Sequence, residues 1–137
     1  MIVVVLDTNT LVSGLGWSGP PRVVIDAVLA GELLLVSSPP LLEELDRVLR
    51  YPKLARVFAE PDAIMGRVRM VAVIVEPTMT LNVVADEPDN RVLEAAAEAR
   101  VDAIVTGDGG LLDLGSYDEV PIMSAGEFVR RFLTTNG

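Results

Sequence analysis

The sequence of 137 residues contains neither cysteine nor histidine. Without cysteine it has no disulfide framework and no thiolate metal site, and without histidine it has no Ser-His-Asp triad and no histidine-ligated zinc. Any chemistry therefore depends on carboxylates, hydroxyls, backbone groups and arginine. Aromatic residues make up only 4% of the chain while hydrophobic residues make up 50%, which predicts an aliphatic core and excludes a disordered chain.

Long apolar stretches are also missing from the sequence. The N-terminal run of residues 2–6 ends at Asp7, so it is much shorter than the core of a signal peptide, and no stretch approaches the length of a membrane span. We therefore expect a protein that acts in the cytoplasm without a membrane partner. The lack of cysteine agrees with a reducing compartment.

Basic residues are few, and the formal net charge is −9. Of the 20 acids, 12 fall in residues 71–127, which contain only two bases. Basic residues nevertheless recur every three positions from residue 47 to 56, a spacing typical of a solvated helix face but also compatible with a ridge that contacts phosphates. We retain Arg47, Arg50 and Lys53 as candidate substrate-binding residues on this basis.

Five short apolar runs, typical of buried parallel strands, alternate with five amphipathic helical patterns. This alternation predicts a doubly wound α/β sheet in a single domain over residues 1–137. The apolar runs are residues 2–6, 33–36, 71–75, 103–105 and 121–123, and the helical patterns are 22–30, 41–50, 62–69, 87–100 and 125–133.

Two acids directly follow predicted strands. Asp7 comes after the first strand and Asp108 after the fourth, and ligands of open parallel sheets bind at the carboxyl ends of the strands. Aspartate is also common in turns and at helix N-termini, so either residue alone is compatible with a structural role.

Further candidate acids lie on two predicted helices. Asp89, in the first turn of the helix 87–100, lies on its apolar face, although it could instead form a capping box with Asp86. In the helix 41–50, Glu43 faces solvent whereas Glu44 and Asp46 border opposite edges of the apolar stripe. Spacing alone does not choose between Glu44 and Asp46.

Several acids in one crevice would repel one another and raise each other's pKa unless a cation lay among them. Hard oxygen ligands without nitrogen or sulfur suit Mg²⁺ or Mn²⁺. A cluster of this kind binds one or two ions and supports in-line attack of water on a phosphodiester.

The order and spacing of several short motifs resemble the PIN domain, in particular the small VapC-like PIN proteins that are toxins of toxin–antitoxin pairs. The likeness covers essentially the whole chain. Its motifs are Asp7-Thr8-Asn9 after a strand, Gly19-Pro20 before a helix, Ser38 to Glu44-Leu45, Asp89-Asn90, Thr106-Gly107-Asp108 with Leu111-Leu112, and a last short strand before Glu127-Phe128.

The resemblance implies a three-layer α/β/α sandwich with about five parallel strands and a Rossmann-like topology. It also implies a ribonuclease dependent on Mg²⁺ or Mn²⁺, an RNA substrate, an antitoxin partner and a homodimer. Asn9 and Thr106 are implied to line the same site as the acids. The implied metal ligands and catalytic acids are Asp7, Glu44, Asp89 and Asp108, which selects Glu44 over Asp46.

The sequence departs from the family pattern at Gly110, where many relatives carry a further acid. This departure leaves a second metal ion in doubt and leaves open an alternative, a catalytically inactive PIN scaffold that binds RNA or protein. A phosphatase with Asp7 as nucleophile is disfavoured because its usual companion acid is replaced by Asn9.

The glycines of residues 14–19 match the dinucleotide-binding expression but stand seven residues after the strand and before Pro20-Pro21. We therefore disfavour a nucleotide-binding module and expect a flexible loop over the site. For Trp17 we expect a packing role rather than base stacking.

Overall fold

The computed structural model describes residues 1–133 and contains a six-stranded sheet in the order β3-β2-β1-β4-β6-β5. Five strands are parallel, and β5 pairs antiparallel with β6. The elements in chain order are β1 Ile2–Leu6, α1 Thr8–Gly16, α2 Pro20–Leu29, β2 Leu33–Ser37, α3 Pro39–Leu49, a 3₁₀ turn Pro52–Leu54, α4 Pro61–Val71, β3 Ala72–Ile74, α5 Glu87–Ala99, β4 Ala103–Val105, α6 Gly109–Leu114, β5 Ser116–Tyr117, β6 Val120–Met123, α7 Ala125–Phe128 and a π-helical segment Val129–Leu133.

Helices cover both faces of the sheet, which explains why its central strands are continuous apolar runs. Alternate residues of β1 face opposite layers: Val4 and Leu6 pack with α1, α2, α3, α4 and α7, whereas Val5 packs with α5 and α6. All three side chains are at most 1% exposed. The doubly wound α/β sheet that the strand–helix alternation predicted is therefore confirmed, as is the three-layer α/β/α fold with about five parallel strands that the resemblance implied.

Helices α1 and α2 pack closely because of one glycine. A Cβ atom at Gly14 would lie 2.5 Å from Ile25 Cγ1 and 2.6 Å from the carbonyl oxygen of Pro21, so no side chain fits between the helices at this point. The predicted flexible loop over residues 14–19 is wrong, since Gly14 and Gly16 belong to α1 and Pro20 begins α2. Trp17 packs edge-to-face on Phe58 with ring centroids 6.0 Å apart, in agreement with the packing role.

Four elements of residues 1–133 were not predicted: α1, the 3₁₀ turn, α6 and the two-residue strand β5. Helix α1 has the sequence Thr-Asn-Thr-Leu-Val-Ser-Gly-Leu-Gly, which is rich in β-branched residues and glycine, so its intrinsic helix propensity is low. Packing on the sheet and a side-chain cap stabilise it instead. Within residues 1–133, no helix has both the length and the apolar character that a membrane crossing needs.

Candidate active site

The direction of the chain across the sheet reverses between β1 and β4, which are neighbours. The connections from β1 to β2 and β3 run towards one edge, and those from β4 to β6 run towards the other. The carboxyl ends of β1 and β4 therefore form the switch point where open α/β sheets bind ligands. Asp7 directly follows β1, and Thr106 to Asp108 follow β4.

Asp7 and Asp108 are linked through the hydroxyl of Thr106. Thr106 Oγ1 donates to Asp7 Oδ2 at 2.6 Å and accepts from the backbone N–H of Asp108 at 2.9 Å. Both carboxylates also cap helices, since Asp7 Oδ1 accepts from Thr10 N and Asp108 Oδ2 accepts from Leu111 N, each at 3.0 Å. The capping role considered in the sequence is thus real, and it orients both carboxylates.

Glu44 lies in the second turn of α3 and reaches the site from the side of β2. Its Oε1 accepts a hydrogen bond from the hydroxyl of Thr8, the first residue of α1. Its Oε2 lies 4.0 Å from the guanidinium of Arg47. Glu43 is exposed, as its position on the helix predicted, while Asp46 pairs with Arg50 at 3.1 Å. Of the three acids, Glu44 alone lines the cavity described below.

Asp86, Asp89 and Asp108 form the tightest group of acids among residues 1–133. One carboxylate oxygen from each lies within 4.8 Å of the others, so the three could hold a metal ion. Asp86 is the N-cap residue of α5, but its side chain makes no capping hydrogen bond. Asp86 and Asp89 therefore do not form the capping box that the sequence offered as an alternative.

The pKa of the Asp89 carboxyl is raised to about 7. Its burial is the largest cause, because Asp89 is 7% exposed and burial disfavours the charged form. The hydrogen bond to Asp108 and then the negative charges of Asp108, Asp86 and Asp7 raise it further. Repulsion among these carboxylates is what a divalent cation would relieve.

One cavity of about 90 Å³ brings these acids together, and we call it the acid cavity. It contains all four acids that the resemblance implied, together with Asn9 and the unpredicted Asp86. Its polar groups are carboxylates, a hydroxyl and an amide, a donor set suited to Mg²⁺ or Mn²⁺. Its lining residues are Asp7, Thr8, Asn9, Glu44, Val48, Asp86, Pro88, Asp89, Val92 and Asp108.

Asn90 fixes the segment that carries Asp86 to the site, the β3–α5 loop of residues 75–86. Its side chain is fully buried, with Oδ1 accepting from the backbone N–H groups of Val83 at 2.9 Å and Val84 at 3.0 Å. Its Nδ2 donates to the carbonyl oxygen of Val84 at 2.9 Å. Glu94, one turn further along α5, accepts from Leu81 N at 2.8 Å.

The candidate basic residues are not equivalent in the structure. Arg47 is 63% exposed and lies beside Glu44, which lines the acid cavity. Arg50 forms ion pairs with Asp46 and Asp62, and these two carboxylates neutralise its positive charge. Lys53 lies exposed on the 3₁₀ turn, beyond the end of α3, so the helical spacing does not place it on one face with the two arginines.

Sequence reasoning missed Thr8, Asp86 and Asn90. Asp86 could have been found from the sequence, because it stands three residues before Asp89 at the start of a helix. Two residues at this spacing lie close together whether or not the first one caps the helix. Thr8 acts through Glu44, 36 residues away, and Asn90 acts through backbone groups of the preceding loop, contacts that helix and strand spacing do not reveal. At Gly110 a Cβ atom would lie 3.1 Å from Asp108 Oδ2, so a side chain there would require that carboxylate to shift by a few tenths of an ångström.

The fold and the site define an α/β protein with an all-oxygen acidic site at the switch point of a parallel sheet. The sequence matches the PIN domain family over residues 3–109. It is also 32% identical, over 117 residues, to an uncharacterized protein of Methanocaldococcus jannaschii, covering 82% of this chain and 75% of that protein. The chain therefore belongs to the PIN domain family, a family of nucleases.

Proposed function

We propose that the chain is an endoribonuclease that depends on Mg²⁺ or Mn²⁺ and hydrolyses phosphodiester bonds of RNA. The observation that carries this proposal is the acid cavity, where Asp7, Glu44, Asp86, Asp89 and Asp108 line one space at the switch point of the sheet. The proposed metal ligands are Asp7, Glu44, Asp89 and Asp108. We add Asp86 to them because its carboxylate lies within 4.8 Å of those of Asp89 and Asp108.

The residues of the acid cavity fit a hard divalent cation. A cavity of about 90 Å³ exceeds the space of about 30 Å³ that one water occupies, so an ion and some of its water fit. Burial, the hydrogen bond to Asp108 and the negative charges of Asp108, Asp86 and Asp7 raise the pKa of Asp89, and a cation among these carboxylates would oppose that rise. When bound, such a cation lowers the pKa of a water and offsets the developing charge on a phosphodiester.

The side chains around the acids keep their oxygens oriented for this role. Thr106 holds Asp7 against β4, and Thr8 holds Glu44 against α1, so four different elements contribute to one geometry. Asp89 holds a proton for part of the time at neutral pH in the absence of a cation, and binding of a cation would release it. Asn9 is exposed at the rim, where its amide can contact substrate or water.

Among the basic residues, we propose Arg47 as the principal phosphate contact. Its guanidinium is exposed and lies 4.0 Å from Glu44, so it is close enough to contact a phosphate that is held near the acids. Arg50 and Lys53 stay candidates for weaker contacts further along the RNA, because Arg50 is occupied by two aspartates and Lys53 lies beyond the helix.

We also propose, from the resemblance to small PIN toxins, a homodimer that acts in the cytoplasm and is inhibited by a cognate antitoxin. The PIN family match and the resemblance of the motifs to those of small PIN toxins support this part of the proposal. Co-expression with the product of a neighbouring short reading frame tests this part. Co-purification together with loss of ribonuclease activity is the expected result, and an unbound chain with unchanged activity would contradict it.

Cleavage of RNA tests the main proposal. Purified protein is incubated with structured and single-stranded RNA in Mg²⁺ or Mn²⁺, with and without chelator. Asp7→Asn keeps a capping oxygen but removes a charged ligand, and Asp113→Asn removes an exposed acid of α6 that does not line the acid cavity. We expect chelator to abolish cleavage and Asp7→Asn to reduce it more than about 100-fold, beyond the range typical of residues that only support a ligand.

Asp113→Asn should cleave RNA within about twofold of the wild type, since a surface charge so placed has little effect. Cleavage that survives both chelator and Asp7→Asn would refute the mechanism. RNA binding without cleavage by the wild type would instead favour the inactive scaffold that Gly110 leaves open.

A further inference from the structure

A second and larger cavity, of about 410 Å³, adjoins the acid cavity. We call it the neutral cavity. It shares Asn9 and Asp108 with the acid cavity, and its other walls come from α1, the start of α2, the turn after β4 and the start of α7. Its volume falls within the range of about 300–1,000 Å³ that is typical of small-molecule sites.

The walls of the neutral cavity are polar but almost uncharged. Asp108 is the one charged residue among its lining residues, and it stands on the side of the acids. Asn9 and Ser13 lie four residues apart on α1, so their side chains share one helix face. Both are exposed, and neither side chain forms a hydrogen bond within residues 1–133. Ser124 Oγ accepts from Glu127 N at 3.1 Å, which leaves its own proton available to a ligand.

Two glycines border the neutral cavity at positions where neither the backbone conformation nor the local packing requires glycine. Gly107 and Gly109 do not have positive φ values, so a side chain would cause no backbone strain. A Cβ atom at either position would meet no atom within 4 Å. The fold would therefore accommodate a side chain at either position, and the absence of one leaves space open beside the site.

We propose that the neutral cavity binds one nucleoside, base and ribose, of the RNA strand whose phosphate lies at the acid cavity. The proposal rests on the proposed ribonuclease function. Five nearby carboxylates disfavour an anion in this space, whereas an uncharged base or ribose is not repelled. The free amide and hydroxyls match the hydrogen-bonding edges of a base and the ribose hydroxyls, which proteins use to recognise single-stranded RNA. Because Asp108 belongs to both cavities, this nucleoside would be adjacent to the scissile phosphate.

Binding of free nucleosides tests the cavity without requiring catalysis. Adenosine, guanosine, cytidine and uridine are titrated into ¹⁵N-labelled, metal-free protein, and amide shifts are followed by NMR. Gly107→Leu fills the space, while Gly66→Leu is the matched control, because Gly66 is an exposed glycine of α4 whose Cβ also meets no atom. We expect shifts at Ser13, Gly107 and Gly109, at least tenfold weaker binding in Gly107→Leu, and unchanged binding in Gly66→Leu.

Ser13→Ala provides a second variant in case Gly107→Leu does not fold. It should raise the KM for a short RNA about two- to tenfold with little change in kcat, as expected from the loss of one hydrogen bond. An unchanged KM would overturn the role of Ser13 in nucleoside binding.

The two proposals fail in different ways. Nucleoside shifts at Gly107 and Gly109 in a protein that cleaves no RNA would refute hydrolysis but support the cavity. Metal-dependent cleavage without nucleoside shifts, or shifts that Gly107→Leu leaves unchanged, would overturn the nucleoside cavity. Binding of inorganic phosphate at Gly107 and Gly109 in place of nucleosides would likewise overturn it.

Discussion

Asp7 and Asp108 are each a helix cap and a wall of the acid cavity. The N–H groups of Thr10 and Leu111 occupy one oxygen of each carboxylate, and Thr106 contacts the other oxygen of Asp7. Asp89 differs from both because its shifted pKa reflects burial among other acids rather than compensating donors. A residue in such surroundings is a functional-site candidate with a physical rationale, since structural carboxylates are normally compensated.

The pKa of Asp89 predicts how stability changes with pH in the metal-free protein. Because the pKa rises from 3.8 to about 7 on folding, the folded chain binds more protons than the unfolded chain between about pH 4 and pH 7. The contribution of Asp89 to stability is therefore fully present below about pH 4 and is lost as the pH rises towards and through 7.

We expect Asp89→Asn to remove this part of the pH dependence and to raise the free energy of unfolding by about 1–2 kcal/mol at pH 8. Each tenfold change in proton affinity corresponds to about 1.4 kcal/mol, and water in the open cavity screens part of the effect. Urea unfolding in chelator at pH 4, 6 and 8 measures it. Asp113→Asn controls for net charge, and an equal gain in that variant would show that the burial of Asp89 is not the cause.

At the scale of the elements, the β3–α5 loop is held by one face of α5. Asn90, Glu94 and Glu98 follow at intervals of four residues and accept hydrogen bonds from backbone N–H groups of the loop. This arrangement fixes a twelve-residue connection without secondary structure of its own. It also sets the position of Asp86, which ends the loop beside Asp89.

Asn90→Ala should destabilise the protein by about 3 kcal/mol. The change leaves part-buried backbone groups of Val83 and Val84 without their side-chain partner, and the loss of three hydrogen bonds at about 1 kcal/mol each accounts for this cost. Urea unfolding measures the loss, and hydrogen exchange at Val83 and Val84 should accelerate. Glu98→Ala is the matched control from the exposed end of the same face, with an expected cost below about 1 kcal/mol. Equal costs for the two variants would contradict the special role of Asn90.

At the scale of the whole molecule, the acid excess divides into two parts. Five acids line the acid cavity, where a cation can offset them, and the others lie elsewhere in a chain with a net charge of −9. That surplus opposes non-specific binding of RNA, because counterion release from phosphates requires basic residues. We infer that a substrate is selected by local contacts near the acid cavity rather than by the overall field.

Metal binding should stabilise the folded chain as a whole. At a Mn²⁺ concentration 100 times its Kd, linkage predicts a gain of about 2.7 kcal/mol, which raises the Tm of a chain of this size by about 5–10 °C. The gain should be larger at pH 8 than at pH 6, because at pH 6 Mn²⁺ competes with the proton on Asp89. Thermal unfolding with MnCl₂ against NaCl of equal ionic strength measures it, and the same shift in Asp108→Asn would place the bound ion elsewhere.

The sequence by itself determined the fold class and most of the acids. Strands such as Ile2–Leu6 and Ala103–Val105 were predictable because a strand buried on both faces must be apolar throughout. Asp7 and Asp108 were candidates because they directly follow such strands, a local property that spacing reveals. The choice of Glu44 over Asp46 came from the family resemblance and not from spacing.

Only the tertiary structure decided which residues support the acids. Helix α1 has weak intrinsic propensity and is stabilised by its packing on the sheet, while Gly14 allows it to pack closely on the following helix α2. Thr8 reaches Glu44 across 36 residues and Thr106 reaches Asp7 across 99, distances along the chain that no local pattern encodes. The acid cavity is therefore a product of packing: local sequence placed carboxylates at strand ends, and the fold brought those ends together.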